Sequence, residues 1–216
     1  MFYNLIMRIK VIQHSDDRFA ELLKITKPKN TEYCKKYNLD YEAYEGDFVP
    51  KNITSERRVY WNKPFILKNI IENEKYDWIF YLDADAVILD HSIDLKYFIK
   101  ASDKNSEFIV CYVNQRPQDK YWNFNFGVFF LKSSEYMLDI LNSSIEACEI
   151  NNGSIDDQPI FQAMLRENYK RFAEKTSIFP SKAFNDHGDF IYHALGKTSN
   201  NTGDQISKLE QLQGVI

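Results

Sequence analysis

The stretch YDWIFYLDADAVILD, residues 76–90, holds an apolar run rich in aromatic side chains, Trp78 to Leu82. Such a run is too short for an independent helix, and its composition predicts a buried β-strand. Two aspartates one residue apart, Asp83 and Asp85, follow the run directly, and a second apolar segment lies behind them. In open α/β sheets, ligands collect at the carboxyl ends of the strands. The stretch therefore predicts an α/β protein with a candidate site where this strand ends.

These two aspartates have a functional and a purely structural interpretation. Two carboxylates at a strand end form a hard, doubly negative oxygen site suited to Mg²⁺ or Mn²⁺. Such an ion can hold and neutralise a diphosphate, as a nucleotide-sugar transferase requires. Two acids also often simply end a strand and solvate the loop behind it. The pattern alone leaves both interpretations open.

Length and composition predict one globular domain that spans residues 1–216. The net charge of −4 argues against a general binder of the phosphate backbone, so we expect no nucleic-acid partner. No stretch approaches the roughly 20 apolar residues that span a bilayer, so no transmembrane segment is predicted. The first residues lack the basic start and cleavage site of a signal peptide. We expect a soluble, cytoplasmic protein or an excised catalytic domain.

A first strand is predicted from Arg8 to Gln13, and it leads into a polar edge. Strand-to-helix loops hold nucleotides in sheets of this kind, so we expect Gln13, His14 and Ser15 to contact a nucleoside. A lone histidine such as His14 is more often an ordinary surface residue. Neither a G-x-G-x-x-G motif nor a P-loop follows, which leaves a dinucleotide fold and a phosphate-cradling NTPase without support.

Local signals predict the boundaries of the next elements. The helix after the first strand is expected to begin at Asp16, a good N-cap, and to end at Pro28. Thr31 would then cap a second, shorter helix. Further along, the run Trp122 to Leu131 is predicted to form one strand. Gly127 inside that run indicates a bulge or the close approach of a ligand.

Three more positions carry side chains suited to a site. Lys63 lies at the start of a helix that leads into the aspartate-bearing strand; it could meet a phosphate, although an exposed lysine is usually only solvated. Asp156 and Asp157 precede another helix, where carboxylates commonly serve only to stabilise the helix dipole. His193 ends a further apolar run, and its neutral imidazole would complete an Asp-Asp-His set for Mn²⁺.

Five blocks of the chain, taken in their order and spacing, form a specific pattern. They are W-N-K-P at 61–64, the D-x-D strand, N-F-G-V-F at 125–129, D-D-Q at 156–158 and G-D-F-I-Y-H-A-L-G at 188–196. Over residues 8 to 197 the chain resembles the family 34 glycosyltransferases, the galactosyl-, mannosyl- and xylosyltransferase group. The resemblance implies a GT-A fold, in which two abutting Rossmann-like halves surround a mixed, mainly parallel sheet.

The resemblance also implies an activity and its components. The expected enzyme is a glycosyltransferase that depends on Mn²⁺ or Mg²⁺ and retains the anomeric configuration of the sugar. Its donor would be a nucleotide-diphosphate sugar, a UDP-sugar rather than a GDP-sugar, and its acceptor a hydroxyl of a glycan or glycoprotein. The oligomeric state is left open.

Roles carry over to the residues that match the family's motifs. Asp83, Asp85 and His193 would bind the metal. The remaining donor contacts would be Lys63, Ala84, Gly196 and Lys197, and the residues around the sugar and acceptor would be Asp156, Asp157, Gln158 and His187.

Three other classes share some of these features. A nucleotidyltransferase would share the metal and the sheet, although no glycine-rich phosphate loop follows the first strand. A metal-dependent hydrolase acting on a nucleotide sugar would use the acidic residues 156–157 to position a water molecule. A sugar-binding module without activity would keep the aromatic residues but would gain nothing from an Asp-Asp-His set.

Overall fold

The computed structural model of the protein describes residues 7–113, 122–185, 187–194 and 202–213. In these ranges, six strands form the main sheet and two short strands form a second sheet. The strands are β1 (Ile9–Ser15), β2 (Asp40–Glu45), β3 (Trp78–Asp83), β4 (Ala86–Ile88), β5 (Phe108–Cys111), β6 (Val128–Lys132), β7 (Thr176–Phe179) and β8 (Ile191–His193). The α-helices are α1 (Ala20–Lys36), α2 (Asn62–Asn73), α3 (Lys96–Ala101), α4 (Glu135–Ile150), α5 (Asp157–Arg166) and α6 (Thr202–Gln213). Short 3₁₀ segments cover Glu56–Trp61, Tyr169–Arg171 and Ala173–Lys175.

The main sheet has the strand order β2-β1-β3-β6-β5-β7. β1 runs parallel to both β2 and β3, and β7 runs parallel to β5, whereas β6 is antiparallel to both of its neighbours. The predicted mixed, mainly parallel α/β sheet is therefore confirmed. His14 pairs with Asp83 at the ends of β1 and β3, so these two predicted site segments reach the same edge of the sheet.

Both faces of β3 are buried, which accounts for its uninterrupted apolar run. On one face Phe80 stacks on Phe130 of β6, with ring centroids 4.2 Å apart, and on the other Tyr81 stacks on Phe129 at 5.0 Å. The largest fully buried side chains are all aromatic. Many of the chain's aromatic side chains therefore form its hydrophobic core.

Helix α1 differs from its prediction at its start and in its middle. Asp16 does not cap it, because its carboxylate accepts a hydrogen bond from the Arg18 backbone N–H and pairs with the Arg18 guanidinium. The helix also continues through Pro28, which is exposed, so the carbonyl that loses its partner can be hydrated. Thr31 lies inside the helix and donates to the Lys27 carbonyl. The helix is held by its buried residues on both sides of the proline, Leu22, Leu23, Thr26, Asn30, Tyr33 and Cys34.

The prediction of a single strand from Trp122 to Leu131 is also wrong in its first half. β6 begins only at Val128, and Phe124 makes an isolated bridge with Tyr112. A turn precedes β6, in which the Asn125 side-chain oxygen accepts the Gly127 backbone N–H. Strand β7 was not predicted, because its four residues are all half-buried and form no apolar run.

The second sheet and the C-terminal helix lie at the carboxyl edge of β3. β8 pairs antiparallel with β4, and this pairing places His193 opposite Ala86, directly behind the second aspartate. Leu209 of α6 packs in one apolar cluster with Leu22 and Leu23 of α1. Among the residues described, none of the helices combines the length and the apolar character needed to cross a bilayer.

Candidate active site

A cleft of about 500 Å³ opens at the carboxyl ends of β1 and β3. Most of the residues singled out from the sequence line it, although they are spread over the chain. They come from the end of β1, the start of α2, the turn after β3, the start of α5 and the end of β8: His14, Ser15, Lys63, Asp83, Ala84, Asp85, Asp156, Asp157, Gln158 and His193.

Two carboxylates and one imidazole converge at the floor of this cleft. Asp83, Asp85 and His193 each offer a ligand atom, and these atoms lie within 4.8 Å of one another. His193 Nε2 is 3.0 Å from an oxygen of Asp85 and 3.8 Å from one of Asp83. Burial alone would raise the pKa of Asp85, but the adjacent His193 outweighs this effect and lowers the Asp85 pKa. For His193, burial alone would lower the pKa, but the adjacent Asp85 outweighs it and raises the His193 pKa.

Gly127 makes this convergence sterically possible. A Cβ atom at position 127 would lie 2.3 Å from His193 Cε1 and 2.5 Å from an Asp83 carboxylate oxygen. Any side chain here would occupy the space between two of the converging groups. The glycine predicted to allow a bulge or a ligand's approach instead allows the close approach of the site's own side chains.

Two asparagines determine which nitrogen of His193 faces the carboxylates. The Asn185 amide nitrogen donates to Asn125 Oδ1, and this directs the Asn185 oxygen at His193 Nδ1, 2.8 Å away. Nδ1 therefore carries the proton in a neutral His193, and Nε2 presents its lone pair to the two aspartates. A ligating histidine usually makes a second hydrogen bond of this kind. The donor set and its support fit a divalent cation.

Lys63 lies at the start of α2, between two acidic groups of the cleft. Its ammonium is 3.3 Å from Asp157 and 3.7 Å from Asp83, and it lies over the rings of Tyr81 and Phe126. Burial alone would lower the pKa of Lys63, but the two carboxylates outweigh it and raise that pKa. The lysine remains charged, and it is not merely a solvated surface residue.

Asp157 opens α5 with its side chain buried at the cleft. Oδ1 accepts the backbone N–H of Gln158, whereas Oδ2 receives no hydrogen bond from the described part of the chain and faces the Lys63 ammonium. Burial, partly offset by Lys63, raises the pKa of Asp157 to about 6. The Gln158 oxygen accepts the Phe126 backbone N–H and so ties α5 to the turn before β6.

Asp156 has a different environment from its neighbour. Its carboxylate pairs with the Arg57 guanidinium, and its side chain makes no capping hydrogen bond to α5. This ion pair joins the segment before α2 to the start of α5 at the rim of the cleft.

The three residues predicted to contact a nucleoside do not share one orientation. Gln13 is fully buried beneath the cleft, where its amide bonds Asn30, Tyr41 and the carbonyls of Asp83 and Ala86. A ligand in the cleft cannot reach it. In contrast, His14 and Ser15 line the cleft. Ring Nε2 of His14 bonds the Gly46 carbonyl, and burial lowers the His14 pKa. The buried Ser15 hydroxyl has no hydrogen-bond partner among the described residues.

Among the described residues, one further predicted residue, His187, does not line the cleft. His187 is exposed, and its ring stacks on Tyr192 of β8 with centroids 4.9 Å apart. Gly196 and Lys197 lie outside the described residues.

Sequence reasoning missed four polar groups that belong to the site. Asn125 and Asn185 orient His193, Arg18 lines the rim, and Gln205 of α6 donates to Asp85. Asn125 and Asn185 lie inside or beside recognised blocks, so their position was a usable signal. No local pattern distinguishes Gln205 from the other polar residues of its helix.

Comparisons with known proteins agree with this geometry. The model of the galactosyl transferase GMA12/MNN10 family matches residues 5–194. A search of curated proteins finds no match. Among solved structures, the chain is similar to a glycosyltransferase involved in the glycosylation of the major capsid of PBCV-1, with a TM-score of 0.72 and 16% identity over 94% of this chain and 99% of that chain.

Two larger proteins share the same fold. GlyE of Streptococcus pneumoniae TIGR4 has a TM-score of 0.57 and 12% identity over 96% of this chain, and the bifunctional glycosyltransferase WbbM has a TM-score of 0.54 and 10% identity over 99%. The chain spans 63% of the first and 52% of the second. These likenesses identify the GT-A fold, and the family match covers most of the 216 residues. The chain therefore belongs to the galactosyl transferase GMA12/MNN10 family of glycosyltransferases.

Proposed function

We propose that this glycosyltransferase uses a divalent metal to transfer a sugar, with retention, from a nucleotide-diphosphate sugar to a hydroxyl of a glycan or glycoprotein. One observation supports this most: Asp83, Asp85 and His193 converge in a cleft that also holds Lys63 and Asp157. This set matches the two charges that develop when a sugar–phosphate bond breaks, negative on the diphosphate and positive on the anomeric carbon.

The metal would be held by Asp83, Asp85 and His193. The mixture of carboxylate oxygens with an imidazole favours Mn²⁺, whereas Mg²⁺ prefers oxygen ligands alone. When bound, the ion would neutralise the diphosphate and stabilise its departure. The fit rests on the space left by Gly127 and on the lone pair that His193 presents.

The nucleoside would lie at the end of β1, against His14 and Ser15. The Ser15 hydroxyl supports this placement, because a buried hydroxyl without a partner is costly unless a ligand supplies one. Lys63 would meet the diphosphate, and Ala84, Gly196 and Lys197 would complete the donor contacts. UDP is proposed over GDP from the family resemblance alone.

Asp157 and Gln158 would lie beside the sugar, on the face opposite the leaving group. Asp157 is the better group to stabilise positive charge on the anomeric carbon, because its Oδ2 faces Lys63 without a hydrogen bond among the described residues, whereas the Gln158 oxygen already accepts one. In this arrangement, the acceptor attacks from the side of the departing phosphate, and that phosphate takes the acceptor's proton. Asp156 would help to place α5 through Arg57.

Donor hydrolysis tests the activity without knowledge of the acceptor. The protein is incubated with Mn²⁺ and a panel of UDP- and GDP-sugars, and the release of free sugar and nucleotide is followed. We expect slow hydrolysis of one donor, its loss with EDTA, and its loss in the Asp83→Asn variant. Asp139→Asn is the matched control, because Asp139 lies on α4 and pairs only at the surface with Lys170. Turnover of no donor, or turnover that EDTA leaves unchanged, would refute the proposal.

The stereochemistry is tested on the product of the active donor. Proton NMR of the product formed early in the reaction gives its anomeric coupling, and we expect the donor's configuration to be preserved. An inverting enzyme needs a base beside the acceptor hydroxyl, on the face opposite the leaving group. A product of opposite configuration would contradict the role given to Asp157.

A further inference from the structure

The C-terminal helix α6 directs one glutamine into the metal-ligand cluster. The Gln205 amide nitrogen is 2.9 Å from Asp85 Oδ2 and also donates to the Ala194 carbonyl, next to His193. Gln205 is buried and lines the cleft, although it lies 120 residues from Asp85 in the sequence. One side chain of α6 thus contacts both segments that carry the candidate ligands.

The contact divides the two oxygens of Asp85 between different partners. Oδ2 accepts from Gln205, while Oδ1 faces His193 Nε2 at 3.0 Å. The backbone N–H of Ala194 donates in turn to the Asp85 carbonyl. The two amide hydrogens of Gln205 therefore match two acceptors, and together these bonds restrict rotation of the Asp85 carboxylate. A ligating carboxylate needs such outer support, because its orientation determines whether an oxygen reaches the metal.

Docking of α6 does not require a polar residue at position 205. Leu209, one turn further along, is fully buried against Leu22 and Leu23 of α1. A buried amide brings no gain in hydrophobic burial, and it is costly unless its hydrogen bonds are made. An apolar residue would anchor the helix equally well, so the glutamine requires another explanation.

We propose that Gln205 is a positioning residue of the metal site, which fixes the Asp85 carboxylate with Oδ1 directed into the cleft. The inference rests on the proposed metal dependence. It assigns α6 a part in metal binding, in addition to its packing on α1.

The test compares Mn²⁺ affinity in the whole chain, measured from the EPR signal of free Mn²⁺ during a titration. Gln205→Met keeps the length of the side chain but removes its donor. Gln211→Met makes the same change at an exposed position of the same helix and serves as the control. We expect 10- to 100-fold weaker binding in the first variant, the range for lost outer-shell contacts, and less than about 2-fold in the second. Thermal unfolding in EDTA should be similar for both variants.

A second measurement uses the unmodified protein, in case Gln205→Met does not fold. In ¹⁵N-resolved NMR, a Mg²⁺ titration should shift the side-chain amide signals of Gln205 together with the backbone signal of Gly127. If Gln205→Met keeps wild-type Mn²⁺ affinity, the role of Gln205 is refuted but the metal dependence is not. The same holds if Mg²⁺ shifts the Gly127 backbone signal and leaves the Gln205 side-chain amide signals unchanged. If the unmodified protein binds neither ion, the metal dependence itself fails.

Discussion

Gly127→Ala is the most direct test of whether the three ligand side chains must converge. The new methyl group would lie 2.3 Å from His193 Cε1 and 2.5 Å from an Asp83 oxygen. Both distances are about 1 Å shorter than ordinary van der Waals contact. His193 is buried and held by Asn185, and Asp83 can give way only by turning its carboxylate, which is itself a candidate ligand. At least one metal ligand must therefore move.

The size of the effect follows from this displacement. Overpacking in a close-packed region costs about 1–3 kcal/mol, and the lower chain entropy of alanine returns less than about 1 kcal/mol. We expect the free energy of unfolding in EDTA to fall by about 1–2 kcal/mol, which lowers Tm by roughly 2–8 °C in a chain of this size. Metal ligands tolerate shifts of only about 0.2 Å, so Mn²⁺ affinity should fall by at least about 10-fold.

Calorimetric titration with Mn²⁺ and thermal unfolding in EDTA measure the two effects separately. Gly203→Ala is the matched control, since a Cβ at that position of α6 would meet no atom of the described residues within 4 Å and its backbone is unstrained. The control should keep wild-type Mn²⁺ affinity. Wild-type affinity in Gly127→Ala as well would show that the converging side chains do not form the metal site.

Three further variants test the charge of the cleft and the fold. Asp157→Ala should lower turnover by about 10²–10³-fold while UDP affinity changes little, the pattern of a lost transition-state contact; equal losses in both would contradict its role beside the sugar. Folded Asp157, with its pKa raised from 3.8 to about 6, holds its proton where the unfolded chain has lost it. The unfolding free energy of the wild type should therefore fall relative to that of Asp157→Asn by about 2 kcal/mol as pH rises from 4 to 7, and parallel urea-denaturation profiles would exclude this. Pro28→Ala should raise the free energy of unfolding by about 2 kcal/mol, because alanine restores a hydrogen bond inside α1; an unchanged urea midpoint would refute that reason.

The parts of the fold that sequence predicted best are those where local pattern and tertiary burial agree. Residues 78–82 are apolar at every position because both faces of β3 are covered, so the run indicates the strand without further knowledge. Helix α1 is the opposite case. Pro28 is a strong local stop signal, but burial of the helix on both sides of it outweighs that signal.

The same distinction applies to the candidate site: local patterns indicate some of its residues, and tertiary packing alone determines others. Asp83 and Asp85 follow a clear strand, and the family's motifs identified His193 as their partner. Gln205 could not be recognised, because its contact with Asp85 depends on how α6 packs across the second sheet. Gln13 shows the converse case: its position at the end of a predicted strand suggested a nucleoside contact, but β1 continues to Ser15 and the Gln13 side chain is fully buried beneath the cleft.

The balance of charge in the cleft supports the proposal that Lys63, rather than a rim arginine, meets the diphosphate. Asp83, Asp85 and Asp157 bring three negative charges and Lys63 one positive charge, so with a neutral His193 two negative charges remain, the number that a divalent ion cancels. At the rim, the arginines already form tight ion pairs with aspartates, as in the 2.6 Å contact between Arg18 and Asp16. Lys63 stands further from both of its carboxylates, 3.3 and 3.7 Å, beyond the range of a tight charged hydrogen bond. An arriving phosphate oxygen can therefore compete for its ammonium. In the proposed reaction, Lys63 would turn towards the phosphate, and the positive charge that develops on the anomeric carbon would replace the lysine as the counter-charge of Asp157.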